Sequence, residues 1–273
     1  MDRVSGIAVA EAPAGLAREW PFLATCTVLF IASAGGTAYW CGSMDGDDMP
    51  MPGGWSMSMA WMKMPGQTWL GAAISFIGMW ILMMAAMMLP ALAPMLLNYR
   101  RSIRELDESR LGRLTALAGA GYFFVWAVVG ITVYPLGVGL AAAEMRWSAL
   151  ARCVPIATGV VLLIVGCVQF TTWKARQLRC CCDAPCCGQS LSPDARGAWR
   201  HGLRLGLHCS QCCAGFMLVL LMAGVMDLAA MALVTVAIAF ERLAPWPERA
   251  ARIAGIVVAA AGVFVIAQAM RAA

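Results

Sequence analysis

The chain has 273 residues, of which 61% are hydrophobic and only 13% are charged, and its mean hydropathy is +0.74. Soluble domains carry about a quarter charged residues, so this composition excludes a soluble domain, a disordered chain and a nucleic-acid-binding protein. We therefore read the net charge of +5 as a marker of loop orientation. Against 20 Met and 12 Cys there are only 2 His, so the chemistry to be explained is that of sulfur.

Apolar segments long enough to cross about 30 Å of hydrocarbon as helices recur along the chain. They cover about residues 21–40, 69–97, 114–140, 154–173, 205–224, 226–243 and 253–270. The sequence therefore predicts an all-α polytopic membrane bundle of about seven transmembrane helices, which forms a single membrane domain over residues 1–273. Because the run 205–243 is too long for one span, we expect a tight hairpin at residues 224–227.

The basic residues predict the orientation of the bundle. The N-terminus and the segments 98–113, 174–204 and 244–252, together with Arg242, hold 16 of the 20 Lys and Arg residues. Basic loops remain in the cytoplasm, so we expect the N-terminus inside and the C-terminus outside. The first span ends in a cleavage-like Ala-Ser-Ala-Gly sequence, but Asp2, Glu11 and Glu19 before it are atypical of a signal peptide, which favours retention.

The predicted outer loop, residues 41–68, is rich in methionine. Thioether sulfur is soft, binds at any pH and selects Cu(I) over harder ions. One residue separates the two methionines in each of the pairs 49/51, 57/59 and 62/64, so a short turn could bring both sulfurs of a pair to one ion. The alternative is that these side chains only rest at the membrane interface. The candidate ligands of this loop are Met49, Met51, Met57, Met59, Met62 and Met64.

The predicted cytoplasmic loop, residues 174–204, contains the sequence CCCDAPCC. The cytosol keeps thiols reduced, so cysteines there bind metal or act in catalysis more often than they form disulfides. Adjacent cysteines lack the C-x-x-C spacing of a structural zinc site. A group of closely spaced thiolates fits better a site that relays or stores Cu(I). Juxtamembrane acylation is the alternative. The candidate ligands are Cys180, Cys181, Cys182, Cys186 and Cys187.

A third set of sulfurs lies inside the second and fifth spans. Residues spaced by four share one helix face, and Met87 and Cys213 lie at similar depth, with Cys167 near that level in the fourth span. Methionine is also a common packing residue, so helix packing is the alternative. The sequence favours a sulfur-lined metal site whose candidate ligands are Met83, Met84, Met87, Met88, Cys209, Cys212, Cys213 and Met217.

Other polar groups in the spans have simpler interpretations. Asp227 could either cap a helix or take up ions at the outer edge. Glu241 and Arg242 lie at the inner end of the sixth span, where an ion pair and snorkelling of the side chains toward water explain them. Cys41 and Cys153 both fall at predicted outer ends, where they could form a disulfide or bind metal.

One motif runs from Trp80 through Met83, Met84, Met87, Met88 and Pro90 to Pro94, and a second runs from Cys209 through Met217 and Met226 to Glu241 and Arg242. These two motifs resemble those of a bacterial family of predicted metal-binding integral membrane proteins. The resemblance covers about residues 70–245 and implies metal binding in a multi-pass protein of the bacterial inner membrane. Asp227 and Arg242 stand where the family pattern leads us to expect Asn and Lys.

The leading hypothesis is that the protein binds Cu(I), or another soft metal, and moves it from the outer methionines through the intramembrane site to the inner cysteines. A metallochaperone or a membrane complex would be its partner, and oligomerisation stays open. The alternatives are a membrane thiol-redox protein and a membrane subunit with a structural metal site. No serine, histidine and carboxylate constellation is present, so a transporter or metal-binding protein is favoured over an enzyme.

Overall fold

The fold is built from α-helices with one short β-hairpin. A computed structural model describes residues 12–44, 49–51, 55–63, 66–103, 106–182, 194–244 and 246–272. The antiparallel strands of the hairpin are β1 (Met49–Met51) and β2 (Trp55–Met57). Within the described ranges the helices are α1 (Ala12–Met44), α2 (Trp69–Ser102), α3 (Glu108–Arg146), α4 (Ser148–Val168), α5 (Thr172–Cys182), α6 (Ala195–Ala223), α7 (Leu228–Leu243) and α8 (Pro247–Ala272).

Six helices of the described chain are long and apolar enough to cross a membrane, namely α1 (over Glu19–Ser43), α2, α3, α4, α6 and α8. Helix α7 has 16 residues and is about 24 Å long, which is shorter than a typical span. The predicted fourth span, 154–173, ends early, because α4 stops at Val168 and α5 starts at Thr172. The seventh span and the orientation stay predictions.

The tight hairpin expected at residues 224–227 is confirmed. Helix α6 ends at Ala223, and Gly224 follows with a φ of 119°, a conformation that favours glycine. Helix α7 begins at Leu228, where the Asp227 carboxylate accepts hydrogen bonds from the N–H groups of Ala229 and Ala230 at 2.8 and 3.0 Å. Asp227 therefore caps α7, which is one of the two interpretations that its position allowed.

The two ends of the bundle differ, and we name them by their content. The hairpin end holds β1, β2 and the α6–α7 turn, where Trp55 donates a hydrogen bond to the carbonyl of Ala151 on α4 at 2.9 Å. The basic end holds α5 and the start of α6. There the buried side chains of Arg100 on α2 and Glu19 on α1 form an ion pair at 2.7 Å. The hairpin is thus attached to α4, and the basic end of α2 is attached to α1.

Small residues let α3 and α6 approach closely. A Cβ placed on Gly202 of α6 would collide with the carbonyl oxygen of Ala118 on α3, and one on Gly206 would lie 2.9 Å from the carbonyl of Tyr122. Close backbone approach through small residues is a common way for membrane helices to associate. This contact sets the distance at which side chains of α3 reach α6.

A Gly202→Ala variant is expected to lower the thermal midpoint of the detergent-solubilised protein by several degrees. The added methyl group meets backbone rather than a flexible side chain, so α3 and α6 must move apart. Gly139→Ala on α3 is the matched control, because its Cβ would meet nothing within 4 Å, and alanine favours a helix by about 1 kcal/mol over glycine. Equal midpoints for both variants would contradict this account of the contact.

Candidate metal centre

The methionines of α2 form a buried stripe through the centre of the bundle. Helix α2 packs against α1, α3 and α7, so most of its circumference is enclosed. Met79, Met83 and Met87 are spaced by four residues and lie on one helix face, and Met84 and Met88 form a second such pair. None of the five is more than 3% exposed: Met79, Met83, Met84, Met87 and Met88.

Helix α6 brings its cysteines to the same level as this stripe. Cys209 lies 14 residues from the start of α6 and Met88 lies 14 residues from the end of α2, which places both about 21 Å from the basic end. The Cys209 Sγ atom lies 4.0 Å from Met88 Sδ and 4.0 Å from Cys213 Sγ. We call Met88, Cys209 and Cys213 the central sulfur cluster. Its members are at most 2% exposed.

The other α2 and α6 candidates are buried around this cluster. Cys212 is 3% exposed and Met217, one turn beyond Cys213, is 6% exposed. Met83, Met84 and Met87 belong to the same buried apolar core as the cluster, and their metal-binding role stays a prediction.

Two polar side chains from other helices contact the cluster. The Tyr122 hydroxyl of α3 lies 2.8 Å from Cys209 Sγ, and either atom can donate that hydrogen bond. The Arg242 guanidinium of α7 donates to Cys213 Sγ at 3.4 Å and to Met95 Sδ at 3.8 Å. The snorkelling interpretation of Arg242 is therefore wrong, because its side chain points into the core rather than toward water.

A buried ion pair lies next to the cluster on the basic side. Lys174 of α5 contacts Glu241 of α7 at 2.9 Å, and both side chains are at most 3% exposed. The Lys174 ammonium also donates to the carbonyl oxygen of Cys212 at 2.7 Å. Glu241 thus forms an ion pair, as its position suggested, but it remains buried instead of snorkelling. These contacts attach α5 to α7 and to α6, the helix that carries the two cluster cysteines.

The outer methionines divide between packing and a cavity. Met51 and Met57 are 8% and 2% exposed and pack with Ala141 and Ala151 of α3 and α4, so they contribute to an apolar cluster. Met62 is half-buried and lines a cavity at the hairpin end. The backbones of Met49 and Met59 lie in β1 and in a short 3-10 helix. The side chains of these two residues, and Met64 entirely, fall outside the described residues.

The cytoplasmic cysteines are only partly described. Cys180, Cys181 and Cys182 form the last turn of α5, and their side chains fall outside the description. Cys186 and Cys187 lie entirely outside the described residues. Residues 195–204, which we predicted as part of this loop, belong to α6. The metal-binding role of this segment stays a prediction.

The remaining cysteines do not join the cluster. Cys167, which we expected near the depth of the site, is exposed on α4, one residue from the end of that helix. Cys41 is buried, whereas Cys153 is exposed on α4, and the two are not disulfide-bonded in the structure. The Sγ atom of Cys41 lies instead 3.9 Å from Met226 Sδ.

Donor chemistry sets what the cluster can bind. Within the described residues, no three side chains of His, Cys, Asp or Glu form a group that could hold a metal ion. The cluster instead combines two thiols with a thioether, a donor set that suits a soft monovalent ion better than zinc or a hard divalent cation.

Sequence reasoning missed the residues that surround the sulfurs. Tyr122 is one hydroxyl in an apolar helix, and Met95 lies beyond the methionine stripe. Lys174 resembled an ordinary basic loop residue, and no local pattern distinguishes it from Arg176, which is exposed on the same helix.

Comparisons with known proteins agree with a copper-related protein. A model of the PpoB2 copper chaperone family matches residues 77–265, which include α2 from its ninth position, all of α3 to α7 and most of α8. Comparisons with curated proteins and with solved structures found no match.

Proposed function

Because this chain belongs to the PpoB2 copper chaperone family, we propose that it binds Cu(I) at the central sulfur cluster and passes it between the two sides of a bacterial inner membrane. The observation that carries the proposal is the contact of one α2 thioether with two α6 thiols in the middle of the bundle. The family match supports copper as the ion, and the donor set supports its reduced state.

The spacing of the sulfurs suits a shared ion. A metal–sulfur bond of about 2.3 Å, the length found in zinc thiolates, puts two ligands of a trigonal centre about 4.0 Å apart. The distances from Cys209 to Met88 and to Cys213 are both 4.0 Å. Ions that demand oxygen ligands, such as Mg²⁺ and Ca²⁺, find no such donor set here.

Charge balance also favours Cu(I). Binding to two cysteines releases two protons and forms a Cu(I) dithiolate with one net negative charge. A buried charge is costly unless a partner compensates it, and the Arg242 guanidinium, 3.4 Å from Cys213, is positioned to do so. The Lys174–Glu241 pair is neutral as a unit and leaves this balance unchanged.

The methionine stripe supplies a route to the cluster. Met79 lines the cavity at the hairpin end, and Met83 and Met87 follow on the same face of α2 at intervals of about 6 Å along the helix axis. Thioethers bind Cu(I) through neutral sulfur, whereas thiolates add charge, so transfer proceeds from the methionines toward Cys209 and Cys213. The cysteines at the end of α5 would then receive the ion or hand it to a metallochaperone or complex partner.

Proteoliposomes test this function. A Cu(I)-sensitive chelator dye trapped inside should report faster entry of ascorbate-reduced copper in vesicles that contain the protein than in empty vesicles. A Cys167→Ser variant is the matched control, since that thiol is exposed on α4, and should conduct like the native chain.

Copper movement no faster than in empty vesicles would contradict the proposal. Oxidation of the Cys209 and Cys213 thiols without copper movement would favour the thiol-redox alternative. Bound copper that never exchanges would favour the structural metal site of a membrane subunit.

A further inference from the structure

A second group of sulfurs meets at the hairpin end, far from the central cluster. The Cys41 thiol of α1 lies 3.9 Å from the Met226 thioether in the α6–α7 turn, although 185 positions separate them in the sequence. Cys41 is three residues from the end of α1 yet only 1% exposed. The fold therefore buries a thiol at a helix end, against another sulfur.

A cavity of about 260 Å³ adjoins this pair. Met226 lines it together with Met62, from the segment after the hairpin, and Met79, from the first part of α2. Three thioethers thus border one open space and come from three separate segments of the chain. Trp40 and Ser43, the neighbours of Cys41 on α1, also line the cavity.

The lining of the cavity combines soft donors with neutral polar groups. Gln67 and Ser75 line it as well, and their side chains lie 3.5 Å apart. Among the described residues that border the cavity no charged side chain occurs, so a hard hydrated cation gains no ion pair there. A soft monovalent ion, in contrast, can bind the thioethers and the thiol. It also brings only one positive charge into the buried site, where a divalent ion would bring two.

We infer that Cys41 and Met226, with Met62 and Met79 at the adjoining cavity, form a second Cu(I) site at the hairpin end. The inference rests on the proposed function for the identity of the ion. Cys41 loses one proton when Cu(I) binds, and the resulting thiolate neutralises the ion, so the loaded site carries no net charge. Because Met79 begins the methionine stripe, this site would load the stripe that leads to the central cluster.

Two of the ligands lie ahead of the family match. Cys41 and Met62 precede residue 77, whereas Met79 and Met226 fall inside the matched range. The second site therefore combines two residues of the matched range with two that precede it.

Competition titration with a chromophoric Cu(I) chelator, in detergent and under ascorbate, tests the site. Cys41→Ser and Met226→Leu should each bind about one Cu(I) fewer per chain than the native protein. The matched controls are Cys26→Ser, a thiol elsewhere on α1, and Met222→Leu, a half-buried thioether on the last turn of α6, and both should bind the native number.

The central cluster must be tested in the same series. A Cys209→Ser/Cys213→Ser variant should still bind the one Cu(I) per chain that Cys41→Ser loses. The titration therefore reports each of the two sites independently of the other. Native stoichiometry in both Cys41→Ser and Met226→Leu would overturn the inference. Two separate variants keep the test valid if one of them fails to fold.

Discussion

The Cys209→Ser/Cys213→Ser variant is expected to bind Cu(I) at the central cluster more than about 100-fold more weakly than the native chain. Mutation of residues that only hydrogen-bond to metal ligands already lowers metal affinity about 10- to 100-fold, and here the ligands themselves are removed. Serine keeps the size of the side chain but replaces a soft thiolate with a hard hydroxyl. Only the Met88 thioether would remain of the three sulfurs in contact. Competition with a chromophoric chelator measures the affinity, with both chains carrying Cys41→Ser so that the second site is absent.

The control for this variant is Cys167→Ser, which removes an exposed thiol of α4 at no cost to the cluster. Its affinity should equal that of the native chain within experimental error. An unchanged affinity in the double variant would show that Cu(I) binds elsewhere.

A Lys174→Met variant is expected to lose about 3–5 kcal/mol of stability, because it leaves the buried Glu241 carboxylate without its cation. It also removes the hydrogen bond to the Cys212 carbonyl, so α5 should detach from α6. Equilibrium unfolding in mixed detergent micelles measures the free energy, and protease cleavage in α5 reports its release.

The companion double variant, Lys174→Met with Glu241→Leu, removes both charges and should recover much of the lost stability. Arg176→Met is the surface control, because Arg176 is an exposed residue of α5, and should change the free energy of unfolding by less than about 0.5 kcal/mol. A Lys174→Met variant as stable as this control would contradict the assigned role of the ion pair.

Hydropathy located every described helix except α5, most of which lies in the predicted cytoplasmic loop. Each predicted span is centred on one helix, since a long apolar run in a membrane must satisfy its backbone hydrogen bonds internally. The α6–α7 turn was also predictable, because Gly224 and Asp227 interrupt an apolar run that exceeds one span. Depth estimated from helix rise placed Met87 and Cys213 at a similar level of the membrane, and the contact in the structure is made by Met88 and Cys209, which lie near them on α2 and α6.

Other features depend on contacts that no local pattern encodes. Pairs of outer methionines separated by one residue suggested paired metal ligands. The same spacing places side chains on one face of a β-strand, and in the structure Met51 and Met57 lie in strands and are buried in an apolar cluster. Tyr122 reaches Cys209 only because Gly202 and Gly206 allow α3 to approach. The Lys174–Glu241 pair requires α5 to fold back against α7.

X-ray absorption at the copper K-edge tests the central claim most directly. We predict that the protein loaded with one Cu(I) per chain shows an edge typical of Cu(I) and a ligand shell of two or three sulfurs at about 2.3 Å. Cys41→Ser, which removes the second site, should retain that spectrum, whereas a Cys41→Ser/Cys209→Ser/Cys213→Ser variant loaded in the same way should lose it. A shell of nitrogen or oxygen ligands in Cys41→Ser, or a sulfur shell that survives in the triple variant, would contradict copper binding at the central sulfur cluster.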